Sequence, residues 1–169
     1  MMRCLECGSR MRARRNQRVP YPESGIPNLW LKGITVYCCR KCRAEFPEFP
    51  NAKRLHEGIA NWVTQQLLPL TGPEFRFLRK QMGLSTRELA EIMGVRRESV
   101  TRWETGAEPI GPTSDRLIRL LYGVWCSPEE NGKLPPHLQQ IRGALTSIQR
   151  KRERRPAKMI LSPAALLVR

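Results

Sequence analysis

The 169 residues carry 30 Lys/Arg against 15 Asp/Glu, a formal charge of +15, and a surplus of that size draws polyanions through phosphate neutralisation and counterion release. There is no run of 18 apolar residues, which excludes a membrane-spanning helix, and the N-terminal stretch MMRCLECGSRMRARR lacks the apolar segment of a secretory leader. The expected setting is the cytoplasm, away from membranes, where thiols stay reduced and paired cysteines more often bind metal than form disulfides.

Along the chain, Cys4-Leu5-Glu6-Cys7-Gly8 is followed by a basic stretch with Arg10, Arg12, Arg14, Arg15 and Arg18. A segment punctuated by proline and glycine runs from Pro20 to Gly33. Within it and just beyond, Leu29-Trp30-Leu31 and Ile34-Thr35-Val36-Tyr37 read as two short strands bounded by Gly33, being rich in β-branched and aromatic residues. They lead into the second cysteine cluster, VYCCRKCRAE. The stretch FPEFPN, 46–51, has two prolines and no periodicity, and predicts a hinge.

From Asn51 the apolar residues recur at helical spacing: Leu55, Ile59, Trp62, Val63 and Leu67, with Pro69 ending the run. Four more helices are predicted at about 73–82, 85–92, 96–104 and 113–124. Ser85 and Glu88 form a capping box for the second, Gly83 and Gly94 supply turns, and Thr113 or Ser114 caps the last after Pro112. Beyond Trp125 an amphipathic helix is predicted over 137–150, then the basic run KRERRPAK and a short apolar end. The fold class is mainly α: a small β-rich N-terminal domain (1–47), a hinge and linker helix (48–70), a helical domain (71–125) whose four helices bring the total to five, and a basic C-terminal extension (126–169).

Two C-x-x-C pairs are satisfied at once only by Cys4, Cys7, Cys39 and Cys42. That spacing suits a tight turn aiming two thiolates at one tetrahedral ion. Pairing Cys38 with Cys42 is the alternative. In a strand, however, Cys38 and Cys39 face opposite sides, so Cys38 is the spare thiol. Zn²⁺ is the expected ion, and iron in a rubredoxin-like site is the other that four thiolates could hold. Four protein thiolates leave no open coordination position, so the site is structural, a staple for a segment poor in apolar residues. Cys126 reads as a small buried hydrophobe, and His56 and His137 are assigned no chemistry.

LSTRELAEIMGVRRESVTRWETG, 84–106, is the sharpest motif. Leu84, Leu89, Ala90, Ile92, Met93, Val95, Val100 and Trp103 fit two short helices packed across a turn at Gly94. The outward positions of the second helix are then Arg96, Arg97, Glu98, Ser99, Thr101, Arg102 and Thr105. Such a helix enters the major groove with its N-terminal half at the base edges. There, arginine can bond guanine and glutamate can accept from cytosine. Arg79 and Arg87 are candidates for phosphate contact, as is Thr86 at the start of the first motif helix.

These residues resemble the Cro/C1-type (XRE) helix-turn-helix domain over 73 to about 122. With the paired C-x-x-C ahead of it, residues 3–122 resemble the MqsA (YgiT-type) zinc-finger/helix-turn-helix antitoxin family. The resemblance implies an N-terminal zinc domain and a DNA-binding domain that dimerises on a palindromic operator of double-stranded DNA. It also implies a cognate toxin as protein partner. By position, Arg102 matches a base-contacting arginine of the family, Glu98 stands where the family has a base-contacting asparagine, and Thr86 replaces a glutamine that contacts phosphate. The reading is a transcriptional regulator serving as an autoregulating antitoxin, with a stand-alone zinc-containing repressor as the alternative. No open metal site, nucleophile–base pair or glycine-rich phosphate loop suggests an enzyme. The basic run from Arg150 to Arg155 is a candidate for contacts along DNA flanking the operator.

Overall fold

The structure is a computed structural model that describes residues 2–49, 51–125 and 159–163. It divides into two compact units, with the boundary between Gly58 and Ile59. The predicted helix over 137–150, Cys126, His137 and the basic run at 150–155 lie outside the described residues.

The N-terminal unit is built on a sheet whose long central strand is β2 (Leu29–Cys39). On one edge it pairs antiparallel with β1 (Met11–Pro20), and on the other with β3 (Glu45–Glu48). A short parallel strand, β4 (Met159–Leu161), pairs with Leu29–Leu31 of β2. The two strands expected on either side of Gly33 are therefore one. Gly33, at φ +86°, is an extra residue in β2, and a second irregularity in β1 between Arg14 and Gln17, where Asn16 has φ +55°, offsets it. The inserted residue shifts the side-chain alternation by one. Leu29 and Leu31 can thus be buried at odd positions while Ile34 and Val36 are buried at even ones. β1 coincides with the basic stretch, where arginine carries no strand signal, and its pairing with β2 makes it a strand.

Between β1 and β2 a short 3-10 turn (Pro22–Ser24) turns the chain. Tyr21, buried at its start, packs its ring edge-on to Phe49 at 5.0 Å, and its hydroxyl meets His56 Nε2 at 2.9 Å. His56 therefore has a packing role that the sequence did not suggest.

Helix α1 (Ala52–Gln65) begins where Asn51 accepts the Arg54 backbone N–H on its side-chain oxygen at 3.1 Å. The unit from Ile59 onward adds α2 (Gly72–Gln81), α3 (Thr86–Met93), α4 (Arg97–Thr105) and α5 (Pro112–Trp125). Its core is Ile59, Val63, Phe75, Leu78, Leu89, Val100, Ile118 and Tyr122, all at most 2% exposed. Ile92 departs from expectation. The inward face of α3 is Leu89, Ala90 and Met93, which turns Ile92 outward, 43% exposed.

One buried ion pair ties the first and last helices of this unit. Arg119, fully buried on α5, donates Nε to Asp115 at 2.6 Å and its remaining nitrogens to the carbonyls of Thr64 (3.0 Å), Gln66 (2.5 Å) and Leu68 (2.8 Å). The other Asp115 oxygen accepts the Leu70 N–H at 2.5 Å. The carbonyls at the end of a helix have no intrahelical donor, and Pro69 ends α1's neighbourhood without offering one. Arg119 supplies those donors, and Asp115 balances its charge. Removing one partner of a buried pair strands the other. Arg119→Met should therefore lower unfolding free energy by about 3–5 kcal/mol, read as a drop in the urea midpoint. The double variant Asp115→Leu/Arg119→Met should lose clearly less than the sum of the two single changes.

Candidate metal centre and nucleic-acid interface

The cysteines sit on two turns of matching backbone geometry. In the first, the Cys4 N–H bonds Ser9 O at 2.9 Å and the Gly8 N–H bonds Cys4 O at 2.9 Å. In the second, the Cys39 N–H bonds Ala44 O at 2.9 Å and the Arg43 N–H bonds Cys39 O at 3.1 Å. Gly8 and Arg43 occupy the equivalent left-handed position, φ +70° and +63°. Glycine does so at no steric cost, whereas a side chain there is disfavoured by roughly 1–2 kcal/mol. The second turn thus starts from Cys39, and Cys39 and Cys42 occupy the positions that Cys4 and Cys7 hold in the first.

The four sulfurs lie within 4.8 Å of one another. Cys4 meets Cys42 at 3.4 Å and Cys7 meets Cys39 at 3.4 Å. A tetrahedral ion held at about 2.3 Å by four thiolates requires sulfurs about 3.8 Å apart; the two closest pairs, at 3.4 Å, are somewhat nearer than that, and no pair exceeds 4.8 Å. Hydrogen bonds from the Ser9 hydroxyl, then from the Ser9 backbone N–H, hold the Cys7 thiol down at about 6. Cys42 is pushed the opposite way, up to about 12: an Ala44 backbone hydrogen bond acts to lower it, and the contact with the Cys4 sulfur, burial and the other two thiols outweigh that, so thiolate character gathers on Cys7. Donor set and proximity fit a metal ion. Cys38 stands apart from the cluster, its Sγ directed to Val36 O at 3.8 Å and Glu45 at 3.5 Å.

In the helical unit, α3 and α4 form a tight pair. The Ser85 hydroxyl accepts the Glu88 N–H at 3.2 Å, and Glu88 accepts the Ser85 N–H at 2.6 Å, the capping box expected from sequence. A hydrogen bond donated by the Ser85 hydroxyl to the carboxylate, and then that from the Ser85 backbone N–H, hold the Glu88 carboxyl below its ordinary range. Gly94, φ +65°, closes α3 and lets the Val95 N–H reach Ala90 O at 3.0 Å, turning the chain into α4.

The far end of α4 is clamped by α2. Arg79 holds Glu104 through two bonds, Nε–Oε1 at 2.5 Å and Nη2–Oε2 at 2.9 Å, and donates Nη1 to Leu84 O at 2.7 Å. Phe75 meets Trp103 edge-on at 5.6 Å. At Gly72 a Cβ would collide with Trp103 O and stand only 2.8 Å from Glu104 O, so only glycine lets the start of α2 meet the end of α4. Arg79 is therefore not the phosphate contact its charge suggested. It is 8% exposed and committed to Glu104.

The clamp leaves one face of α4 open. Arg96 is its N-cap, and Arg97, Glu98, Thr101 and Arg102 are exposed, with Ser99 half-buried. Arg102 is 65% exposed, with the Glu108 carboxylate at 3.9 Å. The Thr101 hydroxyl donates to Arg97 O at 3.2 Å. On α3, Thr86 is half-buried in the first turn and Arg87 is exposed, paired with Glu91 at 2.9 Å.

This arrangement, two short helices at a glycine turn with the second helix clamped and its polar face open, covers the residues that match a family model. That model is a helix-turn-helix, matched over residues 75–121. The region is an XRE-type helix-turn-helix domain, the domain of a DNA-binding transcriptional regulator. No curated protein and no solved structure matches the chain. Among the described residues, no helix is long and apolar enough to cross a membrane.

Metal analysis separates the two possible ligand sets. Cys39→Ser should lose the single metal ion expected per chain, and Cys38→Ser should keep it. The reverse pattern would assign the second turn to Cys38. Arg79→Ala should lower the thermal midpoint of the helical unit, because Glu104 then keeps a buried carboxylate without its partner.

Proposed function

We propose that the protein is a sequence-specific regulator that binds a palindromic operator as a dimer, with a zinc ion in the Cys4–Cys7–Cys39–Cys42 centre as a structural staple. The observation that carries the reading is the open face of a clamped α4. Its cations, Arg96, Arg97 and Arg102, stand on the helix of the motif that reaches base edges in the major groove. Glu98 and Ser99 complete the base-reading set, and Thr86, Arg87 and Thr101 lie at the phosphates. Zinc is favoured by the chemistry of four clustered thiolates. A second copy is favoured by Leu120, Val124 and Trp125 on α5, each at least 44% exposed. Large apolar side chains grouped on one helix are the usual mark of an interface.

The regulator further reads as an antitoxin. A Cys4 unit ahead of an XRE-type domain is the order seen in the MqsA-type family that the sequence resembles, and in that reading a cognate toxin is the protein partner. Co-expression with the adjacent gene decides between this role and a stand-alone repressor. Growth arrest by the neighbour alone, relieved by this protein, supports the antitoxin, and a harmless neighbour removes it.

Base readers and phosphate contacts differ in what they change. After selection of the preferred duplex, Arg102→Ala should weaken cognate binding by about 1–3 kcal/mol and random duplex little. Arg87→Ala should weaken all sequences alike and lower the slope of log affinity against log salt by about 0.9. Equal weakening on cognate and random DNA for Arg102→Ala would move that residue to the phosphate-binding group.

A further inference from the structure

The N-terminal sheet has a packed face and an open one. Leu29, Leu31, Ile34 and Val36 fill the packed face, so alternation places Trp30 and Lys32 on the opposite side. Arg18 lies directly across from Lys32 in the ladder and shares that side, and both are exposed. Like charges directly opposite across strands destabilise a sheet. Arg15, exposed in the β1 irregularity, is near enough to Tyr37 for its charge to act on the phenol. Among the described residues, Arg15, Arg18 and Lys32 have no acidic partner, whereas the neighbouring Arg14 is engaged by Glu45. Glu48, on the adjoining strand, accepts from the Tyr37 hydroxyl at 3.2 Å.

We propose that Arg15, Arg18 and Lys32 form a phosphate-binding face, and that its ligand is the backbone of double-stranded DNA. An anion between Arg18 and Lys32 converts a repulsive cross-strand pair into an attractive triad. Guanidinium and ammonium groups are the side chains that bond phosphate oxygens. The large apolar side chains on this face, Trp30 and Tyr37, are half-buried, and the exposed ones of the described chain lie elsewhere, so the face is charged rather than built around the apolar centre typical of a protein interface. The choice of DNA rests on the reading of the helix-turn-helix given above; the anion preference of the face does not. The sheet would then add sequence-independent affinity, making the metal-stapled unit a second DNA-binding surface rather than a spacer.

The test uses the full chain with its metal. The variant Arg15→Gln/Arg18→Gln/Lys32→Gln and the charge-conserving Arg15→Lys/Arg18→Lys are titrated against preferred and random duplex over a range of salt. Neutralising one phosphate-binding cation should reduce the salt slope by about 0.9. The triple variant should therefore fall by up to about 2.7 on both duplexes, with its sequence preference intact. The lysine variant should keep the slope. An unchanged slope with intact preference overturns the inference and leaves the proposed function standing. A reduced slope in a protein that shows no preferred sequence does the opposite. If the triple variant loses metal or fold, phenylglyoxal modification of the unaltered chain decides. Arg15 and Arg18 should be protected by duplex DNA, and equal reactivity with and without it overturns the proposal. Loss of binding to an acidic protein, with the DNA slope unchanged, also overturns it and assigns the face to that partner.

Discussion

Everything the helical unit offers to a ligand depends on how the end of α4 is held. Arg79 grips Glu104 with a two-bond fork, Phe75 abuts Trp103, and Gly72 allows two backbones to approach where no Cβ would fit. Each contact alone is ordinary. Together they leave α4 only one face for solvent. A helix that must place guanidinium groups against base edges loses affinity if it rocks, because every bond then has to be re-formed at an entropic cost. Desolvation offsets part of the Coulomb energy of the buried charge pair. What the pair supplies is orientation, since a planar fork on a carboxylate fixes both distance and angle.

The N-terminal unit solves a different problem. Its sheet buries few large side chains, and its outer strands are short or arginine-rich, so packing alone leaves it marginal. The two cysteine turns draw the start of the chain and the end of β2 to one point. Their shared hydrogen-bond pattern shows that the turns are built alike even though one uses glycine and the other arginine at the left-handed position. A metal ion there would join two cysteine pairs with 31 residues between them, and closing a long loop removes more freedom from the unfolded chain than closing a short one.

Charge is distributed in keeping with this division. The cations of α4 project from a rigid helix, Arg79 and Arg119 are withdrawn into the interior with acidic partners, and Arg15, Arg18 and Lys32 on β1 and β2 stand exposed with no acidic partner among the described residues. Of these cations, only those of α4, β1 and β2 are available to a polyanion. The internal pair Asp115–Arg119 carries no net charge outward. Its role is to close off the end of α1, whose carbonyls would otherwise be buried without donors.

The sequence by itself determined the helices of the motif, the capping box at Ser85 and Glu88, the glycine turn, and the pairing of Cys39 rather than Cys38 with Cys42. These are local matters: a 3.6-residue period, a three-residue cap spacing and a tight-turn spacing are written within a few positions of one another. Tertiary structure alone decided that Arg79 is a buried clamp and not a phosphate contact, that Ile92 faces solvent, that His56 bonds Tyr21, and that the arginine stretch is a strand. None of these has a local signature. Arg79 and Arg87 look alike until Glu104, 25 residues away from Arg79, is folded against one of them. β1 becomes a strand because β2 offers it a partner, and arginine's own preferences do not ask for one. Charge and periodicity can be read along a chain, whereas whether a charge meets a partner or water depends on which distant residues the fold brings beside it.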